Sequence, residues 1–179
     1  MKRLLATVLI LVLCIGFIPT AEPFSYSVSA KDSTAYSETK ITAPEFSRDK
    51  YYKLYDENGK ALTCTHDGVS VSLTFEEARQ GDKAQEWQIA SDIANPLRYR
   101  IISKLTGKAI APESTSRVSL YPVDLNSAEQ EWSFTPSSGE FSIRMSGKNR
   151  LTYSQNKLKL TASGSSAKQF EIYEINNAQ

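Results

Sequence analysis

The sequence is poor in the residues that most catalytic and metal chemistry requires. Its 179 residues include one histidine, His66, and two cysteines, Cys14 and Cys64. A zinc centre takes three or four nitrogen, sulfur or oxygen ligands, so one His and one Cys do not supply it. Cys64 and His66 stand two apart on an expected strand, where side chains share a face. That spacing exceeds hydrogen-bond reach, and no third group is placed to orient such a dyad. Glu76-Glu77 are adjacent loop acids, which are normally solvated. No Gly-rich phosphate loop is present. These absences argue against an enzyme, a metal site or a cofactor. A basic excess is lacking too: 21 Lys and Arg face 20 Asp and Glu, a formal charge of +1. Nucleic acid and anionic membrane are therefore not expected partners.

Residues 1–30 read as an export signal. Lys2 and Arg3 precede an apolar run from Leu4 to Ile18, and Val28-Ser29-Ala30 offers a small-residue cleavage site. The run is shorter than the roughly 20 residues that span a bilayer, so stable membrane insertion is not expected. Leu11-Val12-Leu13-Cys14 has leucine where a lipoprotein signal needs small residues. Cleavage after Ala30 removes Lys2, Arg3 and Glu22 and brings the formal charge from +1 to zero. It also leaves Cys64 alone, without an internal disulfide. That thiol is either buried and inert or paired between chains. The expectation is a secreted, extracellular protein of bacterial type.

Residues 31–48 are polar and lack periodicity, and read as a linker or arm. After Lys50 the pattern changes to short alternating segments. Val69-Ser70-Val71-Ser72-Leu73, Tyr99-Arg100-Ile101 and Leu158-Lys159-Leu160 are examples. Period-2 alternation bounded by Gly, Asn, Asp and Ser predicts strands. The one local exception is Phe75–Arg79, where a helical turn is conceivable. The segments also repeat. Each unit opens with an aromatic-x-aliphatic strand: Tyr52-Lys53-Leu54, Tyr99-Arg100-Ile101 and Phe141-Ser142-Ile143. A Gly-Lys turn follows (Gly59-Lys60, Gly107-Lys108, Gly147-Lys148), then an alternating strand ending in Leu73, Leu120 or Leu160. Each closes with an aromatic strand, at Gln85-Glu86-Trp87, Gln130-Glu131-Trp132 and Lys168-Gln169-Phe170. One unit of this size cannot bury its own apolar face, but three can bury one another's. The reading is one all-β domain over 49–176, with repeats at about 50–90, 97–135 and 140–175.

Three such repeats closing on Gln-x-Trp resemble the ricin-type β-trefoil lectins. The resemblance spans roughly Lys50 to Ile175; the third repeat departs from the motif, with Lys168 for Gln and Phe170 for Trp. It implies a β-trefoil with pseudo-threefold symmetry and one possible sugar pocket per repeat. It also implies what a pocket contains: an aspartate after the first turn, a ring to stack on the sugar, and an asparagine before the Gln-x-Trp. Here the aspartate position falls on Thr63, Ala111 and Thr152, and the asparagine position on Ala84, Glu129 and Ala167. The second repeat offers the best substitute set: Tyr121, Asp124, Asn126, Glu129 and Gln130. A carboxylate and a ring suit a sugar's hydroxyl edge and C–H face. The first repeat offers Phe75, Asp82 and Gln85, and the third Tyr153 with Asn156. The plainer reading is that Asp124 and Asn126 are turn residues, that Gln130 is structural and that Tyr121 covers the barrel. Two functions follow. One is a carbohydrate-binding module with degenerate sites, for a surface glycan or polysaccharide. The other is an interaction or inhibitor trefoil that presents loops such as Thr74–Ala84 and Pro112–Arg117 to an extracellular protein.

Overall fold

The computed structural model describes residues 36–177, apart from 69, 93–94, 146–148 and 163–166. The expected export signal and the third Gly-Lys turn, Gly147-Lys148, lie outside the described residues. Thirteen strands account for most of the rest. Strand β1 (Tyr36–Ile41) precedes three four-stranded units. The first holds β2 (Tyr51–Tyr55), β3 (Ala61–His66), β4 (Val71–Glu76) and β5 (Trp87–Ser91). The second holds β6 (Tyr99–Ser103), β7 (Ala109–Pro112), β8 (Val118–Tyr121) and β9 (Trp132–Ser137). The third holds β10 (Glu140–Met145), β11 (Arg150–Ser154), β12 (Lys157–Thr161) and β13 (Glu171–Asn177).

The first and last strands of each unit close a barrel. β2 pairs β5, β5 pairs β6, β6 pairs β9, β9 pairs β10, and β13 returns to β2. A bridge between Phe141 and Phe170 joins β10 to the start of β13. Closure leaves these strands no free edge. The register repeats: Tyr52 faces Trp87, Tyr99 faces Trp132, and Phe141 faces Phe170. All six rings are buried. Each Trp donates its indole N–H to a carbonyl of its own unit, Trp87 to Leu62 at 2.9 Å and Trp132 to Ile110 at 3.1 Å. The hairpins β3–β4, β7–β8 and β11–β12 cap one end, through contacts of β12 with β4 and of Lys159 with Arg117. Gly59 and Gly107 occupy their Gly-Lys turns at φ of +73° and +67°, which a side chain would strain.

Two expectations need correcting. The stretch read as a polar arm is part of the domain from Tyr36 onward. β1 pairs with β13 along its full length. Phe46 then packs at 5.2 Å from Tyr52 and from Tyr99, and at 6.1 Å from Phe141, one ring from each repeat. Tyr52 accepts from Ser47 N, and Tyr99 donates to Pro44 O. The segment plugs the barrel with one aromatic residue and pairs by backbone, so polar side chains suffice along it. The second correction is the turn at Phe75–Arg79: Phe75 continues β4, because its ring is needed in the core. Single 3-10 turns form later, at Lys83–Gln85 and Ala128–Gln130, just before each Trp strand.

Candidate functional site

In the second repeat the chain leaves β8 at Tyr121 and returns to the barrel at Trp132. Gln130 shapes what lies between. It is buried, and its amide clamps the loop at two points: Oε1 accepts from Asp124 N at 2.9 Å and Nε2 donates to Pro122 O at 2.8 Å. A second clamp comes from the barrel. The buried Arg100 guanidinium donates to Leu125 O at 2.7 Å and pairs with Asp92 at 2.7 Å and Glu131 at 3.7 Å. The loop held this way borders an open cavity of about 470 Å³. Tyr121, Asp124, Ser127 and Glu129 line it together with Ala111, Pro112, Pro122 and Gln130.

Four of the five residues singled out from the sequence therefore meet at one concavity. Tyr121 is 38% exposed, so its ring is accessible from solvent. Asn126 is the exception. Its N–H donates to Asp124 Oδ1 at 2.9 Å, which closes a local turn, and its side chain does not line the cavity. Gln130 lines the wall with both amide atoms engaged by the loop, so it positions the site. Ala111 was missed as a contributor. It stands where the lectin resemblance places an aspartate, and it lines the cavity with a small side chain.

The corresponding threonines of the other repeats are engaged internally. In the first, Thr63 is fully buried and its hydroxyl accepts from Gln85 Nε2 at 3.0 Å. Gln85 also binds Arg79 N and Glu77 O, at the same offsets as Gln130 binds Asp124 and Pro122. Arg79 thus holds the position of Asp124. Its guanidinium pairs with Glu76 at 3.0 Å and Asp82 at 2.7 Å, where the second repeat has Tyr121, Asp124 and Ser127. Asp82 is also the cap of its 3-10 turn. An N–H from Ala84 and then Arg79 hold its carboxyl below the usual value. Ser127, its counterpart, makes no cap hydrogen bond. In the third repeat Thr152 accepts from Lys168 N at 3.2 Å. The rings offered by these two repeats are internal: Phe75 and Tyr153 are buried with centroids 4.9 Å apart. Asn156 sits in the β11–β12 turn at φ of +58°.

The remaining candidate chemistry is separated. Cys64 is fully buried, and desolvation raises its thiol pKa, whereas His66 is exposed at the strand end. Among the described residues no group of three His, Cys, Asp or Glu side chains could hold a metal ion. No helix among them is long and apolar enough to cross a membrane.

No protein-family model matches the chain, and no curated protein sequence matches it. Solved structures do match. A designed threefold symmetric protein, ThreeFoil, is 21% identical with a TM-score of 0.56, covering 68% of this chain and 96% of its own. The fold is a β-trefoil. A Macrolepiota procera ricin B-like lectin in complex with lactose shares that trefoil at 14% identity and a TM-score of 0.57, over 74% of this chain and 99% of its own. A GlcNAcα1-4Gal-releasing endo-β-galactosidase from Clostridium perfringens is 12% identical with a TM-score of 0.60, over 70% of this chain and 32% of its own. At these identities the likeness carries the trefoil fold and no more.

Proposed function

We propose that this β-trefoil is an exported carbohydrate-binding module that holds a sugar of a surface glycan or polysaccharide in its second-repeat cavity, without catalysing a reaction. The observation that carries this reading is the convergence of an accessible ring, Tyr121, with Asp124 and Glu129 on one open cavity. Carboxylates accept hydrogen bonds from vicinal hydroxyls, and the ring takes a sugar's C–H face. The second repeat is preferred to the others because Thr63 and Thr152, at the position of Ala111, are engaged in internal hydrogen bonds. A lectin of the same fold occurs in complex with lactose, which is consistent with a sugar ligand here. Export rests on the basic start and apolar run at the N-terminus.

A second reading is docking to an extracellular protein. It is favoured by Leu97 and Leu125, exposed at 74% and 68%. Binding of the protein to a broad glycan array and to insoluble polysaccharides separates the two. The proposal expects binding that Tyr121→Ala reduces at least tenfold, about 1.4 kcal/mol. Absence of binding to any sugar would leave the protein-docking reading.

A further inference from the structure

The second-repeat cavity presents acceptors and negative charge, and no cationic donor among the described residues that line it. Asp124 and Glu129 are its acids. Part of the donor set that a neutral sugar would use is already engaged. The Gln130 amide donates to Pro122 O, and the Asp124 N–H donates to Gln130. The Tyr121 and Ser127 hydroxyls and the second Gln130 Nε2 hydrogen remain as side-chain donors on the wall, beside two carboxylates. The cation behind the loop does not offset the charge, because Arg100 is 3% exposed and faces Asp92 and Glu131. Charge of one sign in a cleft selects ligands of the opposite sign. An ammonium group carries three donors and no acceptor, and a cation is also attracted to the face of a tyrosine ring.

We infer that the cavity selects sugars bearing a free amine, such as a de-N-acetylated hexosamine, over their N-acetylated and uronic-acid counterparts. The inference rests on the sugar-binding reading and assigns its ligand class. An N-acetyl group replaces the ammonium with a neutral amide. A uronate places a carboxylate beside Asp124 and Glu129, and like charges at that range repel.

The test is calorimetric titration of the full chain with three oligosaccharide series of equal length. These are glucosamine oligomers with the amine protonated, N-acetylglucosamine oligomers, and glucuronic-acid oligomers. The expected result is affinity for the amine series at least tenfold above the N-acetylated series, with no binding of the acid series. Glu129→Gln and Asp124→Asn should each bring the ratio of the first two affinities towards one. Both replacements keep side-chain size, and Asn retains the acceptor that Asn126 N uses, so unchanged melting is the folding control. Equal or tighter binding of the N-acetylated series, still dependent on Tyr121, overturns the amine selectivity and leaves sugar binding standing. Tighter binding of the amine series that neither carboxylate variant alters also overturns it, since the charge would then act non-specifically. Binding of none of the three, with a silent glycan array, removes both readings.

Discussion

The first and second repeats build the same loop with the same clamps and finish it differently. Gln85 and Gln130 bind their loops at matching positions. Lys53 and Arg100, equivalent residues on β2 and β6, each send a buried cation to a loop carbonyl, at Arg79 O and Leu125 O. The frame is therefore shared. The divergence lies in the side chains that the frame presents. The first repeat has Thr63, which accepts from Gln85, and Arg79 and Asp82, which pair with each other. The second has Ala111, Asp124 and Ser127, which leave a cavity. A scaffold of repeats can thus keep its loop geometry while the set of side chains it presents decides whether a site is open.

The largest expected effect concerns the frame. Lys53 is almost fully buried, and Glu38 from β1 is its counterion at 2.9 Å. Glu38→Gln leaves that cation without its charge partner and should cost about 3 kcal/mol, the low end for breaking a buried pair. Arg100 keeps Asp92, so the second loop should be spared. The effect has a pH signature. Burial alone would raise the Glu38 carboxyl, but hydrogen bonds from Lys53, Tyr36 and Tyr55 outweigh it and hold the pKa below its ordinary value. A carboxyl depressed by folding stabilises above its unfolded pKa of about 4.3 and loses that contribution as pH falls through the folded value. The melting difference between wild type and Glu38→Gln should therefore be full at neutral pH, begin to narrow near the unfolded pKa of about 4.3 and close only below the lower, folded value. A difference that persists in acid would mean that Glu38 acts by packing.

A smaller effect is expected at the first repeat's threonine. Thr63→Ala removes the acceptor of Gln85 Nε2 and the donor to Ala61 O. Denaturant unfolding should show a loss of about 1–2 kcal/mol, the cost of unmaking a buried hydrogen bond. It should not create a sugar site, because Arg79 still pairs with Glu76 and Asp82 there. New binding by Thr63→Ala would break the comparison and make the threonine the whole difference.

The trefoil was legible because its signals are local and repeat: alternating strands, Gly-Lys turns and closing aromatics recur in order. Tyr121, Asp124 and Glu129 were legible as a set because they fall in one short loop. Asn126 was not separable from them, since whether it faces the cavity depends on a turn hydrogen bond to Asp124. Ala111 was read only as a missing aspartate, because an alanine offers no polar atom by which a sequence could mark it as part of a cavity wall. The strand Tyr36–Ile41 was hidden because edge pairing with β13 is a backbone matter and its pattern stays polar. Phe46 was hidden because its partners come from three repeats, and no local pattern reports contacts at that separation.

The most direct test of the account is binding by Ala111→Thr, which gives the second repeat the residue that stands there in the first. The variant should fold with stability within about 1 kcal/mol of wild type, since a threonine is already accommodated at this position in the other two repeats. Its glycan binding should fall at least tenfold, as the added atoms enlarge a side chain that lines the cavity with Tyr121. Wild-type binding by a folded Ala111→Thr would contradict the account and place any sugar site elsewhere on the trefoil.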